Sequence, residues 1–100
     1  MNLKVVADSQ RPKVHGGFIA NLLGRIGFRA RAWTDHRDVF LAESVYLGPR
    51  KTSVDLVAHE AEHILFPFQH HQHLCGKSVP VFGRRHLSAD AIAWAESAVP

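Results

Sequence analysis

The stretch that decides the fold is Thr52-Ser53-Val54-Asp55-Leu56-Val57-Ala58-His59-Glu60-Ala61-Glu62-His63-Ile64-Leu65-Phe66. Val54, Val57, Ala58, Ala61 and Leu65 recur at three- and four-residue intervals, the spacing of one face of an α-helix. Thr52 stands at a cap position with an acid, Asp55, three residues on, so the helix is expected to start there. Pro67 has no backbone N–H to donate and ends it. Within this helix, residues 59–63 spell H-E-x-x-H. Side chains at i and i+4 lie on one face about one turn apart, so both imidazoles can reach a single ion. Glu60 neighbours the first histidine and can reach a water on that ion. Zinc lowers the pKa of such a water towards 7, and a carboxylate can then take its proton, which is the chemistry of amide hydrolysis. The competing reading is a pair of surface histidines on a solvated helix face.

Working outward, residues 28–33 alternate apolar and basic with a period of two, as a half-buried strand does. A polar turn follows, and residues 39–47 read as a second strand rich in β-branched and aromatic side chains, ended by Gly48-Pro49. The pair forms an antiparallel hairpin just ahead of the motif helix. Upstream, residues 18–26 carry apolar side chains at helical spacing, with Gly27 where helices commonly stop. Residues 3–7 suit a short strand, and residues 8–17 a loop. Downstream, residues 67–87 form a long loop rich in His, Gly and Pro, and Ser88 can cap a last helix over residues 89–98. The expected fold is α+β, a single domain over residues 1–100: a helix, an antiparallel strand pair, the H-E-x-x-H helix and a C-terminal helix.

Composition agrees with one folded domain. One hundred residues is an ordinary domain length. With 46% hydrophobic and 21% charged residues the chain is too apolar for disorder. Its apolar runs of about five residues fall far short of the roughly 18 that cross a bilayer, and the run at the N-terminus breaks too soon for a signal peptide. Cys75 is the one cysteine, which excludes an intramolecular disulfide and suits a reducing cytoplasm. A net charge of +3 with neutral histidines permits contact with nucleic acid without demanding it. The eight histidines are the unusual feature and point to metal or to charge gained in mild acid.

A catalytic zinc takes three protein ligands and keeps one open position. After His59 and His63, the third can come from Asp90, Glu96, His70, His71, His73, Cys75 or His86. Asp90 is preferred, because it opens the last helix, which can pack beside the motif helix and offer one carboxylate. Glu96, six residues on, requires a different helix rotation. An acid in a first helical turn is also common for its own sake. The cluster His70-His71-x-His73-x-Cys75 has ligand types without a structural-zinc spacing and reads as a solvated loop. Asp55, one turn before His59, can orient its imidazole or simply serve the helix start. Glu62 is expected to face solvent, Trp94 to join the core, and Arg25, Arg29 and Arg31 to form a solvated basic face.

The sequence resembles the zincin metallopeptidases, and among them the compact ImmA/IrrE-type and phage-encoded enzymes. His59, Glu60 and His63 match their motif, and Asp90-Ala91-Ile92-Ala93-Trp94-Ala95 is similar to the pattern that carries their acidic third ligand. Residues 46–50, Tyr-Leu-Gly-Pro-Arg, are similar to the strand end that leads into their motif helix. The likeness covers roughly residues 18–98 and is specific at residues 59–63. The chain departs at Asp90, where that group usually has glutamate. The resemblance implies a zinc-dependent peptidase of a cytoplasmic, phage or bacterial setting, with Glu60 as catalytic residue, zinc on His59, His63 and Asp90, and a protein or peptide substrate. It also implies that the strand over residues 39–45 lies at the cleft rim and receives substrate as an added strand. An oxyanion donor is expected among Tyr46, His86, Arg84 and Arg85. SprT-like zincins take a downstream histidine as third ligand, a part His70, His71 or His73 could play. The metzincin pattern fails at Gln69. Two other classes stand beside this one: a zinc-stabilised binding module without turnover, and a small basic nucleic-acid-binding protein using Arg25, Arg29, Arg31, Arg84 and Arg85.

Overall fold

The computed structural model describes residues 1–13, 29–67 and 87–100. Among the described residues, three strands form one mixed sheet: β1 (Leu3–Val6), β2 (Ala32–Thr34) and β3 (Val39–Ala42), in the order β1-β3-β2. β3 pairs parallel with β1, Leu3 opposite Val39 and Val6 opposite Ala42. It pairs antiparallel with β2, Ala32 opposite Leu41 and Thr34 opposite Val39, which is the expected hairpin. Three helices accompany the sheet among the described residues: α1 (Glu43–Tyr46), α2 (Arg50–Leu65) and α3 (Ala89–Ala98). The class is α+β. The helix expected over residues 18–26 and the loop over 68–86 lie outside the described residues.

Alternation along β3 explains how the sheet joins the core. Val39 and Leu41 are fully buried with Val54, Val57, Ala58 and Ala61 of α2. Phe40 points to the other face of the sheet. There its ring stacks on Trp33 with centroids 5.8 Å apart and planes 14° from parallel. The Lys4 ammonium lies 5.9 Å from the same ring. Lys4, Phe40 and Trp33 are direct register partners, so one cation–aromatic–aromatic row crosses all three strands.

The strand expected over residues 39–47 stops at Ala42. Ser44 donates its N–H to the Asp8 carboxylate at 3.1 Å, and Leu47 donates to the Glu43 carbonyl at 3.0 Å. These bonds turn the chain into α1, whose one buried side chain is Val45. The hairpin turn is locally specified. Asp35 accepts the N–H groups of Arg37 and Asp38, both at 2.9 Å, and Thr34 Oγ1 donates to the Asp38 carbonyl at 2.6 Å. His36 completes it with φ at 69°, in the left-handed region.

The motif helix begins three residues earlier than its sequence suggests. Pro49 is the N-cap, its carbonyl accepts the N–H groups of Thr52 and Ser53, and Arg50 opens α2. Thr52 is therefore not the cap. Proline suits this place because the amide it lacks has no intrahelical partner there anyway. The Ser53 hydroxyl instead donates 3.1 Å to the Val45 carbonyl, tying α2 to α1 in the interior. The far end agrees with expectation, with Leu65 the last helical residue before Pro67.

α3 starts as the sequence predicts: Ser88 Oγ accepts the Ala91 N–H at 3.1 Å. It runs antiparallel to α2, and each end is held. The Arg50 guanidinium, at the start of α2, donates to the carbonyls of Glu96 (2.8 Å), Val99 (3.1 Å) and Pro100 (3.2 Å). These are carbonyls that a helix end leaves without partners. Between the ends, Ala58 and Ala61 of α2 and Ala91 and Ala95 of α3 are all completely buried. Alanine on both faces lets the two backbones approach closely. Among the described residues no helix is long and apolar enough to cross a membrane.

Candidate metal centre

His59 and His63 lie in the second half of α2, half-buried, with ring centroids 5.2 Å apart and planes 72° from parallel. Two imidazoles on one helix face at this separation are the start of a nitrogen-donor site. Asp55 sits one turn earlier on the same helix and is half-buried, where the orienting role would require it.

Glu60 follows His59 in the chain, about 100° further around the helix. Leu56 and Ile64, one turn before and one turn after it, are partly buried and pack on the core. Burial pushes the Glu60 carboxyl from the ordinary 4.5 up to about 8, although part of the residue keeps contact with solvent. A carboxyl that holds its proton near neutrality, next to a histidine pair, is placed to give and take protons.

Glu62 does not face solvent. It is 4% exposed, and its Oε2 accepts two bonds from Ser88, one from the backbone N–H at 2.9 Å and one from Oγ at 2.8 Å. The reason lies in its position: Glu62 follows Ala58 by one turn, on the stripe that packs against α3. In a capping box the residue at the third helical position reaches back to the cap amide. In α3 that position is Ala91, and Glu62 from the neighbouring helix takes over the task.

Asp90 is exposed in the first turn of α3, two residues past Ser88 and so at the end of α3 that Glu62 holds. Glu96 lies towards the Arg50 end, where its carbonyl meets the guanidinium. His59 is nine residues along α2 from Arg50, an axial distance of about 13 Å. The antiparallel packing therefore brings Asp90 towards the histidines and Glu96 away from them. Among the described residues, His59 and His63 come together as two donors, and no group of three or more His, Cys, Asp or Glu could hold a metal. His70, His71, His73, Cys75, Arg84, Arg85 and His86 lie outside the described residues.

The remaining residues fall as follows. The strand expected at the cleft rim lies between two others: both edges of β3 are paired, so no substrate strand can add to it, and among the described residues the sheet edges belong to β1 and β2. Tyr46 ends α1, exposed. Trp94 is partly buried against the core as expected. Arg29 and Arg31 are exposed ahead of β2. Arg11 holds that segment by donating to the carbonyls of Ala30 and Arg29, each at 2.8 Å. Arg25 lies outside the described residues.

No family model, no curated protein and no solved structure matches this chain. What the fold and site define is a small α+β domain with a three-stranded mixed sheet and a paired-histidine helix.

Proposed function

We propose that this domain is a zinc-dependent metallopeptidase that cleaves peptide bonds in a protein or peptide substrate. The reading is carried by one observation: His59 and His63 share a face of α2 with rings 5.2 Å apart, beside a carboxyl raised to about 8. Of the three donors that a catalytic zinc takes, His59 and His63 come together on α2, and Asp90, in the first turn of the adjoining helix, is the proposed third. Zinc bound there would supply Lewis acidity, polarising a carbonyl and acidifying water. Glu60 holds and moves the proton: its carboxylate accepts one from the attacking water, and the acid returns it to the departing amine. Burial favours the protonated acid, and a metal cation held by the histidines would favour the carboxylate, so the two would act in opposition on this group. Glu62 takes no part in the chemistry, since its carboxyl is engaged with Ser88.

Metal content per chain tests the reading on protein purified without a histidine tag or added zinc. About one zinc is expected in the wild type and none in His63→Ala. Loss in Asp90→Ala assigns the third ligand, and peptide hydrolysis that disappears in Glu60→Gln with zinc retained assigns the base. A wild type without zinc after reconstitution, or four protein ligands with no open position, overturns the peptidase.

A further inference from the structure

We propose that the sheet binds single-stranded nucleic acid along β2, with a base stacked on Trp33 and phosphates held by Lys13, Arg29 and Arg31. This is a second function, independent of the metal and of the peptidase reading.

The row across the three strands carries the argument. β1 and β2 flank β3, so Lys4 and Trp33 approach the Phe40 ring from opposite sides. The Lys4 ammonium lies 5.9 Å from its centroid and the Trp33 ring 5.8 Å, with planes 14° from parallel. Among the described residues the row ends at the indole, on an edge strand of the sheet. Trp33 is partly buried against the core, so the indole is held in place while part of it meets solvent. A flat ring added there extends the stack. An unpaired base is such a ring, and every base has a π-face to offer.

The charges along β2 name the rest of the ligand. The Arg31 carbonyl accepts the Ala42 N–H at 2.9 Å, so exposed Arg31 keeps the β2 register and shares the face of Trp33. Arg29 is exposed too, and an antiparallel bridge sets it directly opposite Lys13, also exposed. Like charges directly opposite each other destabilise a sheet, and an anion between them relieves the repulsion. Asp38 does not serve them, since its carboxylate is taken by Lys4 at 3.2 Å and by the Asn2 N–H at 2.9 Å. A stacking ring with cations alongside is complementary to a single strand, which carries free bases and phosphates in alternation. A duplex hides its base faces, and an acidic peptide has none.

Fluorescence anisotropy of a labelled oligothymidylate of about ten nucleotides, titrated with the full chain over a range of salt, tests this. Binding is expected to weaken as salt rises. Arg29→Gln and Arg31→Gln are each expected to lower the slope of log affinity against log salt by about 0.7, the share of one phosphate contact on a single strand. Lys51→Gln removes the same charge from α2, where Lys51 is exposed, and is expected to leave the slope unchanged. Trp33→Leu keeps apolar bulk against the core and is expected to weaken binding about 5–150-fold, the range for stacking one base. Trp33→Phe keeps a ring and is expected to retain most of the affinity while losing the tryptophan quenching that the strand causes; Trp94, the other tryptophan, stays as the reference. An oligouridylate of the same length separates RNA from DNA, the tighter of the two naming the strand. Urea midpoints show which variants fold, and should Trp33→Leu not fold, the arginine slopes and the quenching decide. No binding at low salt, wild-type affinity in a folded Trp33→Leu, an equal change of slope in Lys51→Gln, or a duplex or polyglutamate bound as tightly overturns the inference and leaves the peptidase reading untouched.

Discussion

Glu60→Gln should remove a pH-dependent cost of folding from the metal-free protein. Burial raises the Glu60 carboxyl from 4.5 to about 8 in the folded chain, whereas the unfolded chain titrates near the ordinary value. Between those two pH values the folded state holds a proton that the unfolded state has released. Stability therefore falls as pH rises from about 4.5 to about 8, and is level above that. Each unit of difference is worth about 1.4 kcal/mol, so the full effect has a ceiling of about 5 kcal/mol. Part of Glu60 meets solvent, which relaxes the penalty, and a loss of about 1–3 kcal/mol between pH 5 and pH 8 is expected. Against a total of about 5–15 kcal/mol for a domain this is a large, measurable share. Urea midpoints at pH 5, 6, 7 and 8 with a chelator present, wild type beside Glu60→Gln, read it directly. Glutamine does not titrate, so the difference between the two proteins isolates this carboxyl from the histidines. The glutamine variant should gain on the wild type steadily up to pH 8, and zinc should shrink the gain because a cation favours the carboxylate. Parallel pH profiles for the two proteins would refute the burial argument.

Three further outcomes follow from single contacts. Ser53→Ala removes one of two donors to the Val45 carbonyl, the Gly48 N–H at 3.0 Å remaining, and should cost about 0.5–1.5 kcal/mol in urea unfolding, with the metal content unchanged. His36, at φ 69°, should accept glycine with stability held or raised, whereas His36→Val should lower stability by about 1–2 kcal/mol in the same assay. Asp38 is held below the usual carboxylate range by the Asn2 N–H at 2.9 Å and then by Lys4 at 3.2 Å. Its stabilising effect is present above the ordinary value of 3.8 and is lost as pH falls through the depressed one, so Asp38→Asn should flatten the acid limb of a thermal-unfolding profile and do so less at high salt.

Legibility in the sequence followed the strength of the local signal. The hairpin, the motif helix and the Ser88 cap each announce themselves through periodicity or a side chain whose partner is three residues away. What the sequence hides depends on distant partners. β3 reads as a strand to Leu47 because Val45, Tyr46 and Leu47 suit one, yet Asp8, 36 residues away, takes the Ser44 amide and the chain coils instead. The resemblance implies a rim position for β3, and what rules it out is a second neighbour, β1, which arrives from the first residues of the chain. The α2 start was misplaced for a different reason. Thr52 and Asp55 form a persuasive cap pattern, but Pro49 already satisfies the first turn through its carbonyl, and Ser53 spends its hydroxyl on Val45. Of the site, the histidine pair and the neighbouring acid were legible from spacing, while the burial that raises Glu60 was not.

Glu62 shows why residue type misleads where periodicity does not. An acid between two histidines invites a solvated reading, and its charge argues for water. Its place in the helix argues otherwise, since Ala58 and Glu62 are one turn apart and Ala61 is its neighbour on the packed stripe. The conflict resolves once α3 supplies a serine whose amide and hydroxyl both lack an acceptor within their own helix. A long side chain on the α2 stripe can reach them only if the stripe is otherwise alanine, which is what Ala58, Ala61, Ala91 and Ala95 provide. The two glutamates of His59-Glu60-Ala61-Glu62-His63 thus divide along the helix circumference. Glu60, between Leu56 and Ile64, is desolvated by burial, which favours its protonated form. Glu62, on the alanine seam, receives two donors and ties the helices together. Exchanging their environments would exchange their roles, and the spacing of two residues, about 200° around the helix, is what keeps them apart.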